Sequence, residues 1–335
     1  MSSSMLRFRM ARWRWALGKV IVVAAVAALA VLPPVLNKTK AASGSGKAAA
    51  PAAAPATLSS VPVPLPPNLG DFVTDRAAAI VLGKSLFWDM QAGGDGKQAC
   101  ASCHFQAGVD NRTRNTINPR GGAFRGANYQ LTSADYPFHR LADPNNNASA
   151  VLSDTKEVTG SQGLIKADFL NINEGSPADS STTVPDATFN IGGVNARQVT
   201  GRNTPTIINA VFNNRNFWDG RANRFFNGVN PFGEMDAGAK VWSFDGTAMT
   251  QVSILLDNAS LASQAVGPPN NNVEMSFNGR TFPLLGRKML SLPPLGTQKV
   301  DPTDSVLGSS ANVGGTGLLP TVTYAGMIRS AFNSK

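Results

Sequence analysis

The segment KQACASCHFQAG, residues 97–108, holds both cysteines of the chain and one of its two histidines. Cys100 and Cys103 are separated by two residues, and His104 follows directly. This spacing is typical of covalent attachment of a c-type haem, in which the thiols bond to two vinyl groups and the histidine binds the iron. That interpretation gives all three residues a role and requires the chain to fold around one haem c.

Two other kinds of site are compatible with part of this pattern. A redox dithiol also has the Cys-x-x-Cys spacing, but it needs no adjacent histidine and normally follows a buried strand, which residues 86–98 do not resemble. A zinc site needs four ligands, and only the distant His139 is left to join the motif. Because Cys103 and His104 are neighbours, binding one ion with both would strain the backbone. Haem attachment is the favoured interpretation, and the other two remain alternatives.

The positive charge of the chain is concentrated at its N-terminus. The net charge is +9, and the first 47 residues contain eight basic residues and no acidic one, which leaves +1 for the rest. A nearly neutral folded part argues against a nucleic-acid-binding protein. The basic residues precede the apolar run VIVVAAVAALAVL, residues 20–32, in the order that an export signal requires.

Residues 1–40 are therefore predicted to be a signal peptide or an N-terminal membrane anchor. The apolar run is short for a membrane span of about 20 residues, but residues 13–17 extend it, so both alternatives stay open. Either one places the rest of the chain in the periplasm, free or anchored to the inner membrane. This agrees with c-type haem, which is attached outside the cytoplasm. Residues 41–67, rich in Ala and Pro, are predicted to be a linker.

Residues 68–335 are predicted to form a mostly α-helical, cytochrome c-type haem domain with long irregular loop insertions. Residues 74–89 have helical periodicity, with Thr74 as N-cap and an apolar face of Ala79, Leu82 and Leu86.

A second helix is predicted to begin at Thr204, with Pro205 in its first position and an apolar face of Ile207, Ile208 and Val211. Insertions are predicted at about residues 111–200, with room for short strands, and 223–258. The first of them is rich in Asn, Gly, Asp, Ser and Thr and shows little periodicity.

Four segments follow one another in the order LGKSLFWD, CASCH, RNTPTIINAVFNNRNFWDGRA and SLASQAVGPPNNNVEM. In this order they resemble the bacterial di-haem cytochrome c peroxidases and the related enzymes that oxidise tryptophans in a partner protein. The resemblance covers roughly residues 68–335, with the two insertions as departures. It implies that His104 is the proximal ligand of a peroxide-reactive haem.

The resemblance also implies roles for residues outside the haem motif. Gln264, Pro268 and Glu274 stand where the family has its distal amide, its proline and its catalytic carboxylate. Trp218 matches the tryptophan between the two haems, and Asn203 matches a side chain that contacts a calcium ion between the domains. Composition alone would make Glu274 and Gln264 surface residues and Trp218 a packing residue.

The chemistry itself favours a carboxylate at this place. Cleavage of the O–O bond of hydrogen peroxide needs a proton moved from the near oxygen to the far one, and a carboxylate in a mostly apolar pocket can carry it. Glu274 is the candidate for this step, and Gln264 could orient peroxide by a hydrogen bond.

Two features depart from the family pattern. Many members have a second histidine within about twenty residues of the haem motif, but residues 105–122 contain none, which leaves His139 as the candidate sixth ligand. Members also carry a second Cys-x-x-Cys-His, whereas this chain has no third cysteine. We therefore expect a product that is truncated before a second haem domain.

The leading functional hypothesis is an exported haem peroxidase that reduces hydrogen peroxide to water. Its electrons would come from a small cytochrome c or a cupredoxin. One alternative is a related enzyme that oxidises an organic or protein substrate. A third hypothesis, from another class, is a single-haem electron carrier, which would keep its iron six-coordinate.

Overall fold

A computed structural model describes residues 57–105, 110, 112–114, 129–155, 157 and 159–333. The predicted export segment, residues 1–40, and most of the predicted linker lie outside these residues. The structure is 24% helical and 18% strand, with four α-helices and several small antiparallel sheets in its described part. The prediction of a mostly α-helical fold is therefore wrong. Within the described residues, no helix has the length and apolar character needed to cross a membrane.

The first helix, α1, spans Arg76–Trp88 and leads towards the haem motif. Asp75, and not the predicted Thr74, is its N-cap, because the Asp75 carboxylate accepts hydrogen bonds from two amides of the first turn. Thr74 instead donates its hydroxyl to the side chain of Asn333. The helix ends where Asp89 takes an extended backbone conformation and caps the next turn.

Three later helices follow α1, namely α2 (Ser260–Ala265), α3 (Phe282–Leu290) and α4 (Tyr324–Ala331). The helical core is built by α1, α3 and α4, and α2 packs in a neighbouring hydrophobic cluster. Ala79 and Leu82, on the predicted apolar face of α1, are buried against α3 and α4, and Leu86 packs beside them. The Tyr324 hydroxyl donates to the Asp89 carboxylate at 2.6 Å, which joins α4 to the end of α1. The haem motif therefore begins from a fixed point of the core.

Ten β-strands, β1–β10 in chain order, lie in the described part of the two segments predicted as insertions. They pair as β1–β2, β3–β8, β4–β5, β6–β7 and β9–β10, each pair a two-stranded antiparallel sheet. Their bounds are His139–Leu141, Val151–Asp154, Gln162–Ile165, Ala167–Asn171, Ser180–Thr183, Asn190–Ile191, Val194–Asn195, Arg197–Val199, Val241–Phe244 and Met249–Val252.

Local turn chemistry explains why these segments form strands and not helices. Gly192 and Gly193 join β6 to β7 with positive φ angles of 60° and 85°, as a two-residue type I′ hairpin requires. Between β9 and β10, Gly246 has a φ of 101°, and the Asp245 carboxylate accepts hydrogen bonds from two amides of the turn. Such turns leave strands too short to give a clear period in the sequence.

The second predicted helix, from Thr204, is also wrong. Residues 203–222 form an irregular segment in which only Ala210–Phe212 make a 3-10 turn. Asn209 has a left-handed backbone with a φ of 60°, which interrupts any α-helix at that point. Ile208, predicted on the buried face, is exposed.

Candidate haem-binding active site

The haem motif lies on a tight turn after α1. A 3-10 turn at Met90–Ala92 leads into a glycine-rich stretch, and a second at Cys100–Ser102 carries the motif. At Gly96 the φ is 69° and a Cβ atom would lie 2.8 Å from the carbonyl carbon of Pro177, so the chain needs glycine here. The His104 amide donates to the carbonyl of Cys100 at 3.0 Å, which keeps the motif in one compact turn.

The ring of His104 is oriented by a backbone carbonyl. Its Nδ1 lies 3.0 Å from the carbonyl oxygen of Pro205, and its ring centroid lies 6.2 Å from that of Phe87. A metal-binding histidine commonly donates its second ring N–H to such an acceptor, which fixes the tautomer. With Nδ1 engaged by Pro205, Nε2 is the nitrogen suited to bind iron. This observation fits the axial role assigned to His104.

The two thiols are poorly suited to be a redox dithiol. Burial raises the pKa of Cys100 to about 12, and the neighbouring Cys103 adds to the shift. Burial also raises the pKa of Cys103, although a hydrogen bond with Ser161 opposes it. A reactive dithiol needs a thiolate, and hence a lowered pKa. The residues therefore fit thioether attachment better than disulfide exchange.

A zinc site has no support among the described residues. They contain no group of three or more His, Cys, Asp or Glu side chains that could hold a metal ion. His139, the fourth ligand that such a site would need, lies in β1 with its Nδ1 3.6 Å from the Asp154 carboxylate of β2.

Glu274 lies near the thiols of the haem motif. Burial raises the pKa of Glu274, and the positive charge of Arg202 partly opposes this shift. The carboxylate in turn contributes to the raised pKa of both Cys100 and Cys103, so the electrostatic field of Glu274 reaches both positions. A partly buried acid with a raised pKa beside a haem-attachment site holds its proton more readily than an exposed carboxylate does, as a proton carrier must.

The segment that carries Glu274, residues 268–275, follows α2 directly. Pro268–Asn270 form a 3-10 turn, and the Asn271 side-chain oxygen accepts hydrogen bonds from the amides of Val273 and Glu274. Gln264, in the last turn of α2, and Pro268 are both partly buried. The structure places these two predicted distal residues in the elements that lead to Glu274. Their contact with a ligand stays a prediction.

Strand β3, in the first segment predicted as an insertion, supports this segment. The Leu164 amide in β3 donates to the Val273 carbonyl at 2.9 Å. At Gly163 a Cβ atom would lie 1.7 Å from the same carbonyl oxygen, so only glycine lets the two chains come this close. Sequence reasoning missed this contact, because a single glycine in an irregular segment gives no signal of what it approaches.

A polar group beside Cys103 was also missed. The Ser161 hydroxyl donates to the Asp110 carboxylate at 2.7 Å and lies 2.8 Å from the Thr204 hydroxyl. Asp110 is paired with Arg112. Together with Asn203 they line a cavity of about 220 Å³. Asn203 is exposed at its rim, and its contact with calcium stays a prediction.

The structure places Trp218 and His139 at the surface. Trp218 is 81% exposed, and the guanidinium of Arg202 lies 5.5 Å from its ring centroid. The side chain of His139 is 54% exposed on its hairpin. The roles of Trp218 as an electron relay and of His139 as the sixth ligand both stay predictions.

The comparison with known families decides the class of this site. The family model described as di-haem cytochrome c peroxidase matches residues 77–160 and 177–289, more than half of the chain. The chain belongs to the di-haem cytochrome c peroxidase family. Curated proteins and solved structures give no match. Membership confirms the resemblance seen in the sequence, and it makes a haem-dependent, peroxidase-type oxidoreductase the general class of this protein.

Proposed function

We propose that this protein is an exported c-type haem peroxidase that reduces hydrogen peroxide to water. The observation that carries the proposal is the position of Glu274, a partly buried carboxylate with a raised pKa whose charge acts on both thiols of the haem motif. An electron carrier has no need of such an acid next to its haem.

Three residues would hold the cofactor. Cys100 and Cys103 would form the thioethers, and His104, oriented by the Pro205 carbonyl, would bind the iron. When bound, the haem would supply the iron that binds peroxide and accepts electrons.

The protein's own contribution is the movement of one proton. Glu274 would accept the proton from the near oxygen of peroxide and return it to the far oxygen, which then leaves as water. A raised pKa suits this cycle, because burial moves the pKa of Glu274 upward from its ordinary acidic value and so eases uptake of a proton from peroxide. Gln264 would orient the peroxide through its side-chain amide, and Pro268, which has no backbone N–H, would form part of the wall.

Export and the electron donor complete the proposal. Basic residues followed by an apolar run at residues 20–32 support export, and members of the family are typically periplasmic. The electrons would come from a small cytochrome c or cupredoxin. An exposed Trp218 favours a second candidate function, in which the same haem oxidises an organic or protein substrate that docks at the surface.

The decisive experiment is a single-turnover reaction of the haem-loaded protein with hydrogen peroxide, followed by the haem absorption spectrum. Glu274→Gln is nearly isosteric and should keep haem content, yet slow the reaction about 10²-fold or more, the scale of a lost general acid–base group. Gln264→Ala should have a smaller effect, since an orienting hydrogen bond contributes about 1 kcal/mol.

Glu174→Gln is the matched control, because Glu174 is an exposed glutamate on the surface. It should react at the wild-type rate. Equal rates for wild type and Glu274→Gln would remove the acid–base role and leave the single-haem carrier as the better hypothesis.

A further inference from the structure

A cluster of three buried charged residues joins the haem turn to the segment that carries Glu274. We call Asp179, Arg280 and Lys288 the buried charge cluster. The side chains in both of its ion pairs are 0% exposed. Arg280 Nη1 lies 2.8 Å from one carboxylate oxygen of Asp179, and Lys288 Nζ lies 2.9 Å from the other.

Arg280 binds both ends of the Glu274 segment. Its Nη2 donates to the Pro269 carbonyl at 2.6 Å and to the Met275 carbonyl at 3.0 Å. These two carbonyls bracket residues 270–274. One planar guanidinium therefore fixes the distance between the two ends of the loop, which a lysine ammonium at the same position could not reach in the same way.

Lys288 binds the turn that leads into the haem motif. Its Nζ donates to the Gly93 carbonyl at 2.8 Å and to the Pro177 carbonyl at 3.1 Å. The amide of Asp179 donates to the Gly94 carbonyl, and the amide of Gly94 donates to the Met275 carbonyl, at 2.8 and 2.9 Å. The two halves of the site thus meet at the cluster.

Burying two cations and one carboxylate is costly, and well-packed apolar side chains would often be as stable. The cost is understandable if the charges serve positioning. We propose that Asp179, Arg280 and Lys288 are positioning residues that hold the Glu274 carboxylate at a fixed distance from the haem turn. This proposal rests on the proposed function of Glu274 as the proton carrier.

The test is a double-mutant cycle on the full-length, haem-loaded protein. Arg280→Lys keeps the positive charge beside Asp179 but loses the hydrogen bonds to the Pro269 and Met275 carbonyls. Peroxide should then react about 10-fold more slowly, because a small displacement of a catalytic group lowers the rate steeply. In a Glu274→Gln background the same change should have no further effect on the rate. Lys84→Met, which breaks the partly buried Lys84–Asp304 ion pair elsewhere, is the control and should not change the rate.

Hydrogen exchange gives a readout that is independent of peroxide chemistry. Arg280→Lys should speed exchange at the amides of Gly94 and Leu164, which donate to the Met275 and Val273 carbonyls, by about 10-fold or more. Lys84→Met should leave both unchanged. If Arg280→Lys fails to fold, Lys288→Met replaces it in both measurements. This variant leaves the Arg280–Asp179 ion pair, whose charges sum to zero.

The outcomes separate this proposal from the proposed function. An unchanged peroxide rate in Arg280→Lys, or an equal slowing with and without Glu274, overturns the positioning role. A wild-type rate in Glu274→Gln overturns the acid–base function instead. In that case the exchange data alone decide whether the cluster holds the loop, and unchanged exchange overturns that too.

Discussion

Two ion clusters in this protein have the same arrangement of charges and opposite surroundings. In each, one carboxylate bridges two cations: Asp179 with Arg280 and Lys288 in the core, and Asp219 with Arg202 and Arg221 at the surface. The N–O distances are 2.8 and 2.9 Å in the core and 2.8 and 3.0 Å at the surface. The core side chains are 0% exposed, whereas those at the surface are 26–39% exposed.

Burial changes the strength of an ion pair even when its geometry stays the same. In water the attraction is screened, so the surface cluster contributes little and its members can move. In the core each charge has lost its hydration and depends on its partners and on backbone carbonyls. The core cluster can therefore fix the Glu274 segment. The surface cluster lies beside Trp218, and its Arg202 acts on Glu274 only through its positive charge.

The largest expected effect comes from removing the shared carboxylate in the core. Asp179→Asn leaves Arg280 and Lys288 buried without a counter-charge, which should lower the free energy of unfolding by about 3–5 kcal/mol. Urea denaturation of the haem-loaded protein measures it. A loss below about 1 kcal/mol would show that the buried cluster contributes no more to stability than a surface ion pair.

The stability contributed by the core cluster should depend on pH through Lys288. Burial lowers the pKa of Lys288 from 10.5 to about 8, although the Asp179 carboxylate opposes the shift. Between pH 8 and 10 the folded protein has therefore lost this proton while the unfolded chain keeps it. Raising the pH then removes a cost from the folded state only, so this group should raise the free energy of unfolding by about 2 kcal/mol across that window.

The measurement is the difference between wild type and Lys288→Met in urea denaturation at pH 7.5, 9 and 10. Wild type should gain stability relative to the variant as the pH rises. A difference that does not change with pH would mean that Lys288 keeps its ordinary pKa in the folded state, despite its burial.

Neither cluster could be predicted from the sequence, whereas the haem motif could. Cys100, Cys103 and His104 lie within five residues, so their spacing carries the signal, and the burial of Ala79 and Leu82 follows from helical periodicity. Asp179 meets Arg280 and Lys288 across about a hundred residues with no local pattern. Asn209 shows the opposite failure, since its left-handed backbone interrupts a segment whose apolar spacing indicates a helix.

The smallest expected effect comes from the surface cluster. Asp219→Asn removes the carboxylate shared by Arg202 and Arg221, yet both cations stay hydrated, so the free energy of unfolding should fall by less than about 1 kcal/mol. The stacking of Arg202 on Trp218, with 5.5 Å between guanidinium and ring centroid, should persist because it does not need Asp219.

Salt separates the two clusters further. The small effect of Asp219→Asn should vanish in about 1 M salt, where the screening length is about 3 Å, whereas the effect of Asp179→Asn should remain because ions cannot enter the core. Urea denaturation of both variants at low and high salt, each compared with wild type, measures the four losses of unfolding free energy. Two results would show that burial does not distinguish the clusters: an equal loss of unfolding free energy in Asp219→Asn and Asp179→Asn, or the disappearance of both losses in salt. Either result would remove the physical basis for the positioning of Glu274 by the core cluster.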